Sequence, residues 1–164
     1  MRTLPDSEVN YADWLLIDFN VERENWVYYE LSDGARLRFK LVVRMIWRST
    51  TQIDEKGDAV YSVDLEPLTG LASFPERLRR SPSTGKVTYR RVEKMAPEEA
   101  LKFEKAKESL ESCSAYVLPD GMVVTLRFNL TSVSRTKLRD RYGAPVYKTD
   151  WKVETKFTPN PVAR

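Results

Sequence analysis

The chain has 164 residues, 41% of them hydrophobic and 31% charged, which is enough apolar material for a buried core inside a charged surface. It contains no histidine and a single cysteine, Cys113, so a Ser-His-Asp triad, a Cys-His dyad, an imidazole metal ligand and an intrachain disulfide are all excluded. The net charge of +3 is too small to argue by itself for a polyanionic partner.

Alternation of period two dominates the pattern. Leu15, Ile17, Phe19 and Val21 mark a half-buried N-terminal strand. Trp26 to Leu31 is a second, aromatic-rich strand, and Ser32-Asp33-Gly34 is a hairpin signal. A two-residue loop would pair Leu31 with Arg36 and mix the faces. A three-residue loop pairs Leu31 with Ala35, Tyr29 with Leu37 and Val27 with Phe39, so burial selects the three-residue register. The following strand is the longest. It is expected to put Leu37, Phe39, Leu41, Val43, Met45 and Trp47 on one face and Arg36, Arg38, Lys40, Arg44 and Arg48 on the other. Asp54 to Gly57 forms a turn, and Tyr61, Val63 and Leu65 open a fourth strand.

From Pro67 to Lys94 the pattern is broken by Pro67, Gly70, Pro75, Pro82 and Gly85. Seven cations stand there against Glu76 and Glu93. Val87–Val92 reads as a short strand. Pro97-Glu98-Glu99 reads as a helix start, with Ala100, Phe103, Ala106 and Leu110 as the apolar stripe of a helix ending near Glu111.

After this helix the first meander recurs. Tyr29, Leu31, Asp33 and Gly34 match Tyr116, Leu118, Asp120 and Gly121. Leu37–Leu41 matches Leu126–Leu130, and Arg48 matches Arg135. Gly57, Val60, Tyr61 and Asp64 match Gly143, Val146, Tyr147 and Asp150, with two small shifts in the alignment. The last strand places Tyr147, Trp151, Val153 and Phe157 on its apolar face. Asp64 and Asp150 are assigned to exposed strand faces.

The expected fold is mainly β (β-rich α+β). Two similar three-stranded antiparallel meanders form a barrel or a bent sandwich, with one helix in the connection. The chain is read as one domain over 1–164 with an internal duplication: a first β unit at 13–66, a basic loop and helix at 67–112, and a second β unit at 113–158.

Two groups of residues are candidates for function. The first is a basic and aromatic strand face: Trp26, Tyr28, Arg36, Arg38, Lys40, Arg44 and Arg48. Cations track phosphates and aromatic rings stack on bases, so this face predicts contact with single-stranded nucleic acid without strong sequence preference. The competing expectation is a solvated outer face whose cations pair with Glu30, Asp64 and Glu66. The second candidate is the basic loop with Arg77, Arg79, Arg80, Lys86, Arg90 and Arg91, which either grips an anion or pairs with the acidic stretch that follows.

No carboxylate pair has a spacing that singles it out for acid–base work, no glycine-rich phosphate loop is present, and no metal or cofactor is expected. Cys113 is expected to be a buried thiol. The protein is therefore read as a non-enzymatic binding protein. The alternative is a structural or protein–protein interaction module, either a homo-oligomer or a subunit of a larger assembly. The free cysteine and the absence of an apolar membrane-length run predict a cytoplasmic protein, and the scarcity of amide residues leans towards a thermophilic source.

Overall fold

A computed structural model describes residues 11–109 and 114–159. It consists of two five-stranded antiparallel sheets. In the first, the long strand β4 (Arg36–Ile53) pairs along one side with β5 (Ala59–Ser73). Its other side is shared by β3 (Val27–Leu31) at one end and β1 (Trp14–Ile17) at the other. In the second, β9 (Met122–Arg139) pairs with β10 (Pro145–Pro159), and its other side is shared by β8 (Ser114–Val117) and β6 (Glu99–Ala100). The remaining two strands cross over. β2 (Asn20–Glu24) joins β8 in the second sheet, and β7 (Phe103–Lys105) joins β3 in the first. Each half of the chain thus lends one strand to the other half's sheet.

The mostly-β architecture of two similar sheets is the expected one, in the form of a bent sandwich or partial barrel. A closed barrel is not formed. The ladders separate into two sheets, and no described strand pair links one to the other. The core lies between them. Tyr29, Leu37, Phe39, Leu41 and Ile46 pack against Tyr116, Val124, Leu126, Phe128 and Leu130, with Phe39 stacked on Phe128 at 4.5 Å between ring centroids.

The first hairpin has the three-residue loop. Tyr29 faces Leu37, and Leu31 N–H donates to the Ala35 carbonyl at 2.9 Å. Gly34 sits at φ +91°, the left-handed conformation this loop needs. The second hairpin repeats it, with Tyr116 facing Val124 and Leu118 N–H donating to the Met122 carbonyl at 2.8 Å. This register corrects the sequence alignment. Leu37–Leu41 is equivalent to Val124–Phe128, and the match to Leu126–Leu130 is a coincidence of two alternating strands.

Several expectations about local structure are overturned. A bulge in β4 between Val43 and Met45 shifts the alternation. Ile46 then faces the core and Met45 is 40% exposed, while Arg48 is half-buried. The N-terminal strand is broken at Asp18–Phe19 into β1 and β2, each on a different sheet, so Leu15 and Val21 are exposed. β5 runs through Pro67 and Gly70 to Ser73, past the expected end of the first unit. The stretch from Pro97 is not a helix. It forms β6 and β7, because free positions beside β9 and β3 offer ladder hydrogen bonds that outweigh helix propensity. Val87–Val92 is not a strand. The only α-helix among the described residues is α1 (Tyr89–Lys94), whose Thr88 side chain caps Arg91 N–H. Cys113 lies outside the described residues.

Candidate functional site

The cationic strand face forms on β3 and β4. Register places Tyr28 beside Arg38 and Glu30 beside Arg36. The guanidinium of Arg36 lies 4.4 Å from the Tyr28 ring centroid, and that of Arg38 lies 4.6 Å from the Trp26 ring. Lys40 adds its ammonium at 4.8 Å from the same Trp26 ring. Gly70, across from Arg38, makes room for this packing, since a Cβ there would stand 3.1 Å from Arg38 Nε. Trp26, Tyr28, Arg36, Arg38 and Lys40 are therefore brought together, but the cations already lie over the aromatic rings.

Arg36 and the remaining cations of the face are also committed to carboxylates. Arg36 is paired with Glu108. Arg44 bridges Asp64 at 3.1 Å and Glu66 at 3.4 Å, which raises its pKa through the Asp64 hydrogen bond first. Arg48 is carried by the bulge off this face altogether and meets Asp120 of the second half at 3.6 Å.

The basic loop is held in the same way. Arg77 donates to the Asp33 carbonyl, and Arg79 binds Glu76 at 2.8 Å and the Tyr142 carbonyl at 2.6 Å. Arg80 binds Glu98 at 3.1 Å, and Arg91 donates to the Thr84 and Lys86 carbonyls. Lys86 and Arg90 are exposed.

Two arrangements were not anticipated as sites, although every residue in them had been matched in the repeat. Asp33, in the first hairpin loop, receives Arg135 at 2.9 Å and the Tyr147 hydroxyl at 2.9 Å, both from the second half. Asp120, in the second hairpin loop, receives Arg48 and the Tyr61 hydroxyl from the first half. The signal lay in the matched order Asp, Arg, Tyr, but a single sequence does not say that matched residues meet across the two halves. Burial, followed by the Asp120 hydrogen bond, pushes Tyr61 up to about 12, and burial followed by Asp33 raises Tyr147.

The two triads differ in their surroundings. Arg135 is only 7% exposed and also binds Glu99 at 2.6 Å and Glu98 at 3.4 Å. Burial works to raise the pKa of Glu98, but Arg80 and Arg135 outweigh it and the net shift is downward. The Arg48 triad instead lines an open cleft of about 360 Å³ with Gly57, Asp58, Ala59 and Met122. A second cleft of about 440 Å³ lies beside Phe74, Arg79 and Tyr142, and its arginine is already bonded.

No family model, no curated protein and no solved structure matches this chain. The expectations of nucleic-acid binding, a cytoplasmic location and a thermophilic source therefore find no relative to rest on. Among the described residues, no helix is long and apolar enough to cross a membrane, and no group of three or more cysteine, aspartate or glutamate residues is placed to hold a metal ion.

Proposed function

We propose that this protein is a non-catalytic protein–protein interaction module, a subunit of a larger assembly. The observation that carries this is the state of the cationic face. Arg36, Arg44 and Arg48 are paired with carboxylates, and the rings of Trp26 and Tyr28 are covered by the protein's own cations. A phosphate backbone would have to displace these partners, and a base would have to displace the cations before it could stack. The outer face of the first sheet also offers apolar surface beside β1. Leu16 is 60% exposed and stands opposite Trp47, with Met45 nearby on the same face.

Light scattering on the purified chain, together with identification of co-purifying proteins, tests the assignment. Self-association or a stoichiometric protein partner is expected. Fluorescence anisotropy with single-stranded and duplex oligonucleotides supplies the counter-test. Saturable oligonucleotide binding at about 50 mM salt, where counterion release favours it, overturns the interaction assignment in favour of nucleic acid.

A further inference from the structure

At the Asp33 end of the molecule a segment of the chain covers a loop whose counterpart, Asp54 to Asp58 at the other end, no described residue covers. At the Asp33 end, the segment after β5 lies across both adjoining loops. Pro75 packs against Gly34, where a Cβ would stand 2.8 Å from the proline ring. Arg77 donates to the Asp33 carbonyl, Arg79 to the Tyr142 carbonyl, and Arg80 N–H to the Gly143 carbonyl at 3.1 Å. The fit is close enough that a Cβ on Gly143 would meet the Arg80 carbonyl oxygen at 2.4 Å. Further along, Ser83 exchanges hydrogen bonds with the backbone of Arg139, which is 1% exposed.

The Asp120 end is built from the matching parts. Its hairpin loop is Pro119-Asp120-Gly121, and its second loop, Asp54 to Asp58, has the hydrogen bonding of Asp140 to Ala144. In both, the leading aspartate carboxylate accepts two N–H groups of its own loop. Yet no described residue comes within 4 Å of a Cβ placed on Gly57, the counterpart of Gly143. Ile53 pairs with Ala59 as Arg139 pairs with Pro145, and it is 71% exposed. An apolar side chain thus stands open where the twin position is covered.

We propose that the cleft bounded by Asp120, Arg48, Tyr61 and Gly57 docks an extended, arginine-bearing peptide segment of a partner protein, laid across the two loops as Pro75–Ser83 is laid across the Asp33 end. This rests on the interaction assignment above and names its surface. The chemistry of the occupant follows from two observations. The visible occupant of the twin end presents the guanidinium groups of Arg77 and Arg79 and the backbone N–H of Arg80 to loop carbonyls, and packs Pro75 on Gly34. The open cleft is lined by Asp58 and Asp120 against Arg48, and its loop adds Asp54 and Glu55 against Lys56, so a cationic segment is complementary to it. Backbone carbonyls and an exposed isoleucine suit an extended chain with alternating side chains.

The test titrates a fluorescent peptide with the sequence of residues 74–83 into the full-length chain and maps its position by amide chemical shifts. Saturable binding is expected, with shifts at 54–59 and 120–122. Asp58→Lys and Ile53→Lys are each expected to weaken it about tenfold, as like charge and lost apolar contact require. Both positions are exposed, and an unchanged melting temperature verifies that the variants fold. Absence of binding, including through occupation of the cleft by the chain's own residues beyond 159, overturns the inference. Shifts confined to 32–34 and 140–144 also overturn it, because the peptide then merely exchanges with its own copy. If the peptide fails while the chain still self-associates, the cleft inference alone is lost. If oligonucleotides bind, it is the interaction assignment that falls.

Discussion

Two aspartates of matched sequence are expected to behave differently because their surroundings differ. Asp33 is 5% exposed, and Asp33→Ala takes from buried Arg135 one of its three carboxylates and from the Tyr147 hydroxyl its acceptor, an expected cost of about 2–3 kcal/mol. Asp120 faces an arginine a third exposed to solvent, and Asp120→Ala is expected to cost about 1 kcal/mol. Urea unfolding of the two variants checks this, and equal losses would contradict the asymmetry. The loop glycines rank in the same sense. Gly57→Ala meets open space and incurs only the left-handed backbone cost of about 1–2 kcal/mol. Gly34→Ala adds a collision with Pro75 and is expected to destabilise by more.

The tyrosines set the alkaline limit. Tyr61, Tyr116 and Tyr147 are raised above the ordinary value of 10.0, chiefly by burial and then by hydrogen bonds to Asp120, Glu24 and Asp33. Their neutral forms are favoured in the folded state, so above pH 10 the unfolded chain releases protons that the folded chain keeps. The associated stability is complete below about pH 10 and falls as the pH rises towards 12. Thermal melts across this range are expected to show the loss, and a variant with all three changed to phenylalanine is expected to flatten the slope.

At the level of elements, β4 and β9 each leave a gap on one side, between β3 and β1 in the first sheet and between β8 and β6 in the second. A tyrosine from the opposite half fills each gap. The Tyr116 hydroxyl accepts Val43 N–H at 3.1 Å and donates to Glu24 at 2.7 Å. The Tyr29 hydroxyl accepts Leu130 N–H at 3.2 Å. Phe19 and Phe103, from the crossing segments, pack edge-on against Tyr116 and Tyr29 respectively. Tyr29→Phe and Tyr116→Phe are each expected to cost about 1–3 kcal/mol by stranding buried backbone groups. Faster hydrogen exchange at Leu130 and Val43, respectively, is the local readout. Unchanged exchange at those amides would mean that the hydroxyls are not their partners.

At the level of the whole molecule, β2 and β7 each pair with a strand of the other half, so the halves are expected to hold together without the connection. A protease site replacing 84–88 is therefore expected to yield, after cleavage, two fragments that still elute together and unfold in one transition. Elution as separate halves would show that the crossing strands contribute little.

The sequence by itself determined the strands of the two main hairpins, their three-residue register and the recurrence of Asp, Arg and Tyr. These follow from alternation, from turn chemistry and from the rule that an apolar face must be buried. Only the tertiary structure decided where alternation slips, because a bulge at Arg44 leaves no mark in residue type yet moves Arg48 from the outer face to the space between the halves. It also turned the Pro97 stretch into edge strands, since helix propensity is local and the open sides of β9 and β3 are not. The fate of the cations was settled at the same level. The residue types of the basic face are compatible with binding an anion or with pairing internally, and the choice depends on which carboxylates and rings folding brings within a few ångströms of each guanidinium.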